Sequence, residues 1–431
     1  MENKTRKTDT VRMGFIGTGN RGSELLWLFM QQPDCEVVAL CDVYEPYIWR
    51  DRSKVEKRWI EIYGNKIPGM GEHFPTKPDL YTDFRRLLED KSIDAVCIST
   101  PDHWHAIQTI EAIKAGKDVY CEKPLTNTLF EGRKMVEAHA ASKQVVTVGL
   151  NRRGSVAYQK LVKEVHGGKI GPITRGRSAH ANNLYPNGIG KMKPEMPPKG
   201  FDWDMWIGPR SYRPYQYNIA PYSFRWWSDY SSQMGNWGVH LIDVLRWLMG
   251  ETAPLYISAH GGKYLLDHDA TVDDTDSVIF EFASGKIITY DVLEATGGII
   301  FPYGEVEIRG AKGMAYAHEG GYLLCPVTPG QFQKWGKPFE EEVFKDEIRN
   351  VSTYYVGTVG LIRDFLDCVK SRNTPLCTLE EGHRSTSFAH LANIALAVKE
   401  RLQWDAANER FVNNEKANAL LSYEYREPWK L

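Results

Sequence analysis

The run Gly17-Thr18-Gly19-Asn20-Arg21-Gly22 constrains this chain more than any other stretch, because of what flanks it. Met13 to Ile16 before it has the apolar continuity of a buried strand, and Ser23 to Gln31 after it has helical apolar spacing. A second apolar strand, Val37 to Leu40, ends in Cys41-Asp42, placing a carboxylate 20 residues beyond Gly22. Strand, glycine turn, helix, strand and acid make up the opening of a doubly wound parallel sheet that holds a dinucleotide. Glycines let the backbone approach a pyrophosphate, the helix amino end attracts its charge, and the acid accepts hydrogen bonds from a ribose 2′-hydroxyl. Gly17, Gly19, Asn20, Arg21, Gly22 and Asp42 are therefore candidate cofactor contacts. Val43-Tyr44-Glu45 offers no base for a 2′-phosphate, so NAD is expected over NADP, with Arg21 the one nearby cation able to neutralise a phosphate.

The alternation continues. Ile93 to Ser99 reads as a buried strand stopped by Thr100-Pro101-Asp102-His103-Trp104-His105, with a helix from Ala106 to Ala115. Asp118 to Cys121 reads as the next strand and delivers Glu122-Lys123-Pro124; Thr128 to Glu131 is a capping box opening another helix, and Val145 to Gly149 is a further strand. Ligands of open α/β sheets sit outside the carboxyl ends of the strands. Thr100, Pro101, His103, His105, Glu122, Lys123 and Asn151 thus join the cofactor candidates, the two histidines chiefly as residues that position a loop. Lys123 stands out: beside a cationic nicotinamide a semi-buried ammonium is disfavoured, which suits a proton donor and acceptor near neutral pH. Residues 1–150 are expected to form the dinucleotide-binding domain and 151–431 a substrate-binding and oligomerisation α/β domain.

After residue 150 the composition shifts. Five of the 13 tryptophans, Trp203, Trp206, Trp226, Trp227 and Trp237, fall in one short region with Tyr185, Tyr212, Tyr215, Tyr217, Tyr222 and Tyr230 around them. Sugar rings present flat C–H faces that pack on such rings, so two or three of these are expected in a cleft and the others in a core. Asn236, His240 and Asp243 share one face of a helix from Trp237 to Leu248. Ser277 to Phe282, Lys286 to Val292 and Glu305 to Arg309 read as strands of an open, mostly antiparallel sheet, the first two joined by an Ala283-Ser284-Gly285 hairpin. Helices from Val359 to Ser371 and Glu381 to Arg401 are expected to return to the first domain. Glu380, Glu381, His383 and Arg384 read as capping and solvated surface, and Lys191 to Gly200 as a mobile loop near the cleft.

With 53 basic and 55 acidic residues the chain carries no footprint for nucleic acid or a membrane surface. Seven cysteines without a CxxC pair suggest neither a disulfide framework nor a metal site. The polar stretch Met1 to Thr10 and the absence of a long apolar run point to a cytoplasmic protein.

The glycine fingerprint, Thr100-Pro101, His105, Glu122-Lys123-Pro124, Trp226 to Tyr230, Gly235 to Asp243, Trp404-Asp405 and Tyr423 to Trp429 together resemble the glucose-fructose oxidoreductase, inositol dehydrogenase and rhizopine-catabolism family, Gfo/Idh/MocA, and within it a bacterial glycoside-acting subgroup. The resemblance implies a Rossmann domain plus an α/β domain with an open sheet, acting on sugars, cyclitols or glycosides. It raises His240, whose family counterpart is commonly catalytic, beside Lys123. Arg153, Tyr185, Trp227, Asn236 and His240 become candidate substrate contacts, and a homo-oligomer is expected. Many relatives carry Asp where this chain has Asn236; Asn cannot relay a proton, and Asp243 is the nearest carboxylate in sequence. The implied reaction is oxidation of a secondary hydroxyl, first at C3 of a hexose. Hydrolysis through transient oxidation, and a cofactor-binding sensor without catalysis, are the alternatives.

Overall fold

The computed structural model describes residues 10–327, 342–345 and 355–431. The polar amino-terminal stretch Met1 to Thr10, on which the cytoplasmic expectation partly rests, lies almost wholly outside them. Six strands, β1 (Val11–Ile16), β2 (Cys35–Cys41), β3 (Asp79–Tyr81), β4 (Ala95–Ile98), β5 (Asp118–Cys121) and β6 (Val146–Val148), form a parallel sheet in the order β3-β2-β1-β4-β5-β6. The order reverses between β1 and β4, so their carboxyl ends frame a crevice. β4 and β5 are buried along their whole length, as strands covered on both faces must be. The helix Leu129–Ala140 opens with the expected capping box, Thr128 and Glu131 each satisfying the other's backbone donor.

The second sheet has ten strands: β7 (Ile173–Ala181), β8 (Tyr256–Gly262), β9 (Thr275–Glu281), β10 (Ile287–Leu293), β11 (Val306–Gly310), β12 (Gly313–His318), β13 (Gly321–Pro326), β14 (Glu342–Lys345), β15 (Leu402–Asp405) and β16 (Arg410–Phe411). Only β7 and β10 run parallel; every other neighbouring pair is antiparallel. Alternating burial along β9 and β10 shows one face packed and one open, with Ile279 exposed on the latter. The helices Val239–Met249 and Leu379–Val398 cover the packed face through Leu241, Leu245, Phe388 and Leu391.

Of the late helices, Val356–Ser371 joins the first core, with Phe365 edge-on to Phe29 and Tyr120. Leu379–Val398 spans both domains: Leu379 enters the first core, Gly382 lies against Val148, Thr386 Oγ1 accepts from Leu125 N–H at 3.1 Å and His390 bonds Thr126 at 3.1 Å, while Phe388 and Leu391 pack on the second sheet. A third core of aromatic rings joins residues 44–67 to 201–230, with Trp59 donating to Tyr215 at 2.7 Å. The Lys191 to Gly200 stretch is tied down: Glu195 pairs with Arg58, Met192 N–H donates to Asp269, and Gly200 accepts from Glu45 N–H. Among the described residues no helix is long and apolar enough to cross a membrane, and no His, Cys, Asp and Glu group is set to hold a metal ion.

Candidate active site

A cleft of about 1800 Å³, its open mouth included, runs from the carboxyl edge of the parallel sheet to the end of the second sheet. Gly17, Gly19, Asn20 and Arg21 form its floor at the β1 turn. Gly17 has φ +86°, and a Cβ there would stand 2.8 Å from Thr100 N. A Cβ at Gly22 would stand 2.0 Å from Gly17 O, so Gly22 lies behind the turn and seats the helix on the strand. The helix Asn20–Met30 begins at Gly19 with no side-chain cap, leaving its first N–H groups to receive a phosphate. Asp42, at the end of β2, accepts from Thr18 N–H at 2.7 Å and Tyr44 N–H at 3.0 Å, which fixes the carboxylate at the cleft edge. Burial raises the Asp42 pKa, and those two amides oppose the rise. Arg50 is engaged by Glu72, so Asp42 faces no free arginine from that side. The donor set fits NAD, and Asp42 disfavours a 2′-phosphate. Asp42→Ala should lower the kcat/KM ratio of NAD over NADP by about one to two decades, the worth of a charge-assisted hydrogen bond and a removed repulsion. Initial rates with both cofactors check it.

Lys123 leaves β5 toward the second wall. Its Nζ donates to the Asn236 main-chain carbonyl at 2.6 Å, with Asn236 Oδ1 at 3.4 Å. Burial pushes the Lys123 ammonium down to about 8, helped by the Arg225 and Arg21 charges and opposed by Glu122 and Asp102. Asn236 sits in a π-helical turn, Met234–Gly238, that leads into the helix Val239–Met249. The wider turn brings Asn236, Trp237 and His240 all to the cleft. Burial, then the charges of Arg152, Lys123 and Arg21, hold His240 well below its usual pKa, so it is a neutral imidazole at physiological pH.

Thr100, Pro101, Glu122 and Asn151 also line the cleft. Glu122 accepts from Arg21 at 2.9 Å and from Lys123 N–H at 3.0 Å, so Arg21 is neutralised from within the protein. His103 and His105 do not reach the lining. His103 is buried, bonded to Trp206 O at 2.9 Å, and pushed down to about 3. His105 bridges Thr100 O at 2.9 Å and Pro124 O at 2.7 Å, tying the β4 turn to the lysine turn.

Three substrate candidates lie elsewhere. Arg153 turns away to bind Asp243 at 2.8 Å and Glu381 at 2.8 Å. Trp227 is 3% exposed in the aromatic core, its indole donating to Asn218 O. Tyr185 is 57% exposed on a loop outside the lining. Asp243 is equally unable to stand in for a carboxylate at position 236, because Arg153 and Ser385 take its oxygens.

Other residues occupy those places. Asp102, buried and raised in pKa by burial, accepts from Ser231 and lines the cleft next to Thr100-Pro101. Arg152, Glu319, Arg225, Tyr222, Trp206 and Trp237 complete the wall. Glu319 accepts from Asn151 at 3.1 Å and from Gly357 N–H at 3.1 Å, and Arg152 binds Glu305 at 2.8 Å. Trp206, Tyr222 and Trp237 belong to the aromatic set from which cleft residues were expected, and Asp102 stands in the turn already marked by its histidines.

Family models match three stretches: an oxidoreductase family's NAD-binding Rossmann fold at residues 11–150, a Gfo/Idh/MocA C-terminal domain at 209–316 and the family's C-terminal alpha/beta domain at 340–431. Inositol 2-dehydrogenase 4 of Saccharopolyspora erythraea is 27% identical over 346 residues, 77% of this chain and 83% of that protein. A glycosyl hydrolase family 109 protein of a Shewanella species is 29% identical over 182 residues, only 41% of this chain and 36% of that protein. Among solved structures, levoglucosan dehydrogenase in complex with NADH and levoglucosan superposes with a TM-score of 0.64 at 18% identity, over 91% of this chain and 99% of that one, which shows a shared fold. With the glycine turn, Asp42 and both domain types accounted for, the chain belongs to the Gfo/Idh/MocA family of NAD-binding oxidoreductases.

Proposed function

We propose that the protein is an NAD-dependent dehydrogenase that oxidises a secondary hydroxyl of a sugar, glycoside or cyclitol. The observation that carries this reading is the convergence of Lys123, Asn236 and His240 on one wall of a cleft whose floor is the dinucleotide turn. NAD, when bound, supplies the hydride acceptor. Lys123 supplies the base. As a neutral amine it still donates to the Asn236 carbonyl while its lone pair accepts the hydroxyl proton. Its lowered pKa leaves a working share of amine at neutral pH. His240, held neutral, hydrogen-bonds a substrate hydroxyl without adding charge beside Lys123. Trp206, Tyr222 and Trp237 offer ring faces to the sugar. Inositol and levoglucosan dehydrogenases among the relatives and structural neighbours support a polyhydroxylated substrate. C3 of a hexose is the position assigned first, and the cytoplasm the compartment.

The purified protein, given NAD and a panel of glycosides and cyclitols, should form NADH in step with a product lighter by two hydrogens. Aglycone release without net NADH would instead establish glycoside cleavage through transient oxidation, the second reading that the family 109 relatives favour. Tight NAD binding with no turnover across the panel would sink both.

A further inference from the structure

We propose that the substrate carries an anionic substituent, a carboxylate or a sulfate ester, received by Arg225 in the same cleft. The proposal rests on the dehydrogenase reading above and narrows its substrate class.

Arg225 stands in a short 3₁₀ turn, Ser223–Trp226, and lines the cleft with its neighbours Tyr222 and Phe224. Its guanidinium carbon is 4.3 Å from the Tyr222 ring centroid and 4.5 Å from that of Phe224, and Nη1 donates to Tyr222 O at 2.7 Å. Its own turn therefore fixes the side chain's place before any ligand arrives, so little freedom is lost on binding. One donor is used, and a planar fork with its other N–H groups free matches the two oxygens of a carboxylate or sulfate.

What distinguishes Arg225 is the lack of a counter-ion. Arg21 in the same cleft pairs with Glu122 at 2.9 Å and Glu24 at 3.1 Å, and Arg152 pairs with Glu305 at 2.8 Å. Among the described residues, no carboxylate lies within ion-pair distance of Arg225. Lys66 adds to the imbalance: it lines the cleft, its Nζ is 5.6 Å from the same Tyr222 ring, and no described carboxylate pairs with it. The Tyr222 ring thus carries two cations without an ion-pair partner among the described residues, the buried Asp102 carboxylate acting on Arg225 only through space. A neutral hexose leaves both charges as they are, whereas an anionic one neutralises half-buried Arg225, where screening is weakened, with exposed Lys66 adding a weaker, solvent-screened attraction. The pyrophosphate of the cofactor has its own place at the amino end of the helix Asn20–Met30.

The test uses the full chain with NAD and matched substrate pairs: methyl glucosides against methyl glucuronides, and methyl glucosides against their 6-sulfates, in both anomers. The anionic member of one pair should be favoured in kcat/KM by about ten- to a hundredfold, chiefly through KM, as one charge-assisted contact allows. The pair showing the preference tells carboxylate from sulfate. Arg225→Met should bring the anionic-to-neutral ratio close to one, and Arg225→Lys should restore part of it, with thermal melting used to confirm that both variants are folded. An equal or reversed preference in the wild-type protein overturns the proposal. So does a ratio that survives Arg225→Met, or a loss shared equally by both members, which would mark Arg225 as acting on Lys123 instead. If no member of any pair yields NADH while a neutral sugar or cyclitol of the panel does, this proposal fails and the dehydrogenase reading stands; if nothing in the panel yields NADH, both fail.

Discussion

Lys123→Met should lower kcat by about two to four decades, the usual scale for a lost general base, while NAD titrates the variant as it does the wild type. The expectation rests on two features of the side chain. Its Nζ is aimed by Asn236 into the cleft, and burial has brought its pKa down to about 8. The sign of the pH dependence follows. Hydroxyl oxidation needs the neutral amine, so kcat/KM should rise with pH and level off once Lys123 has lost its proton. A bound nicotinamide cation disfavours the ammonium further and moves that limb to lower pH. In Lys123→Met the limb should vanish, leaving a slow, flatter profile. His240 contributes no second limb in this range, because it is neutral well above its depressed pKa. Initial rates from pH 6 to 10, with NAD affinity by titration, decide the matter. Wild-type turnover in the variant, or an unchanged limb, would remove Lys123 from the chemistry.

The parts of this site that the sequence revealed are those whose position depends on local order. The glycine turn is fixed by the strand before it and the helix after it. Lys123 follows β5 directly, and the sheet edge dictates where it emerges. The parts that stayed hidden depend on which way neighbouring side chains turn. Arg152 and Arg153 are adjacent in one 3₁₀ turn, Asn151–Gly154, and spacing cannot tell which faces the cleft. Arg152 does, because Arg153 meets Asp243 across the helix Val239–Met249. Glu319 sits in the turn after β12, and reaches Asn151 only once the second sheet has folded against the first. The aromatic cluster divided in the same way. Trp227 filled the third core, Trp206 belongs to that core and also edges the cleft, and Trp237 reached the wall. Glu381, which reads as a solvated cap, is drawn inward by Arg153 and Arg246.

That inward turn sets the largest stability effect expected outside the cores. Asp243 accepts from Arg153 Nη2 at 2.8 Å and from Ser385 Oγ at 2.5 Å, and Arg246 Nε stands 3.9 Å away. The side chains of Asp243, Arg153 and Arg246 are only 1%, 6% and 3% exposed. Asp243→Ala leaves two buried guanidinium groups sharing the single carboxylate of Glu381, and breaking a buried pair in this way costs about 3–5 kcal/mol. Urea unfolding should show the loss as a lower midpoint. Asp243→Asn keeps the hydrogen-bond acceptor but not the charge, so its loss should be intermediate. The combination Asp243→Leu with Arg153→Met removes both charges and should recover part of the stability, since much of the single-variant cost is the stranded cation. Activity separates this structural role from a catalytic one. Asp243 lies one helical turn beyond His240 on the helix Val239–Met249, so loosening it lowers turnover by misplacing the imidazole, yet the pH limb set by Lys123 should persist in folded Asp243→Asn. If that variant is fully stable but loses the limb, Asp243 takes part in proton transfer and the ion cluster is not its purpose. If the limb stays and stability falls, the carboxylate that position 236 lacks is not replaced from this helix, and Lys123 works with a neutral Asn236 and a neutral His240 beside it.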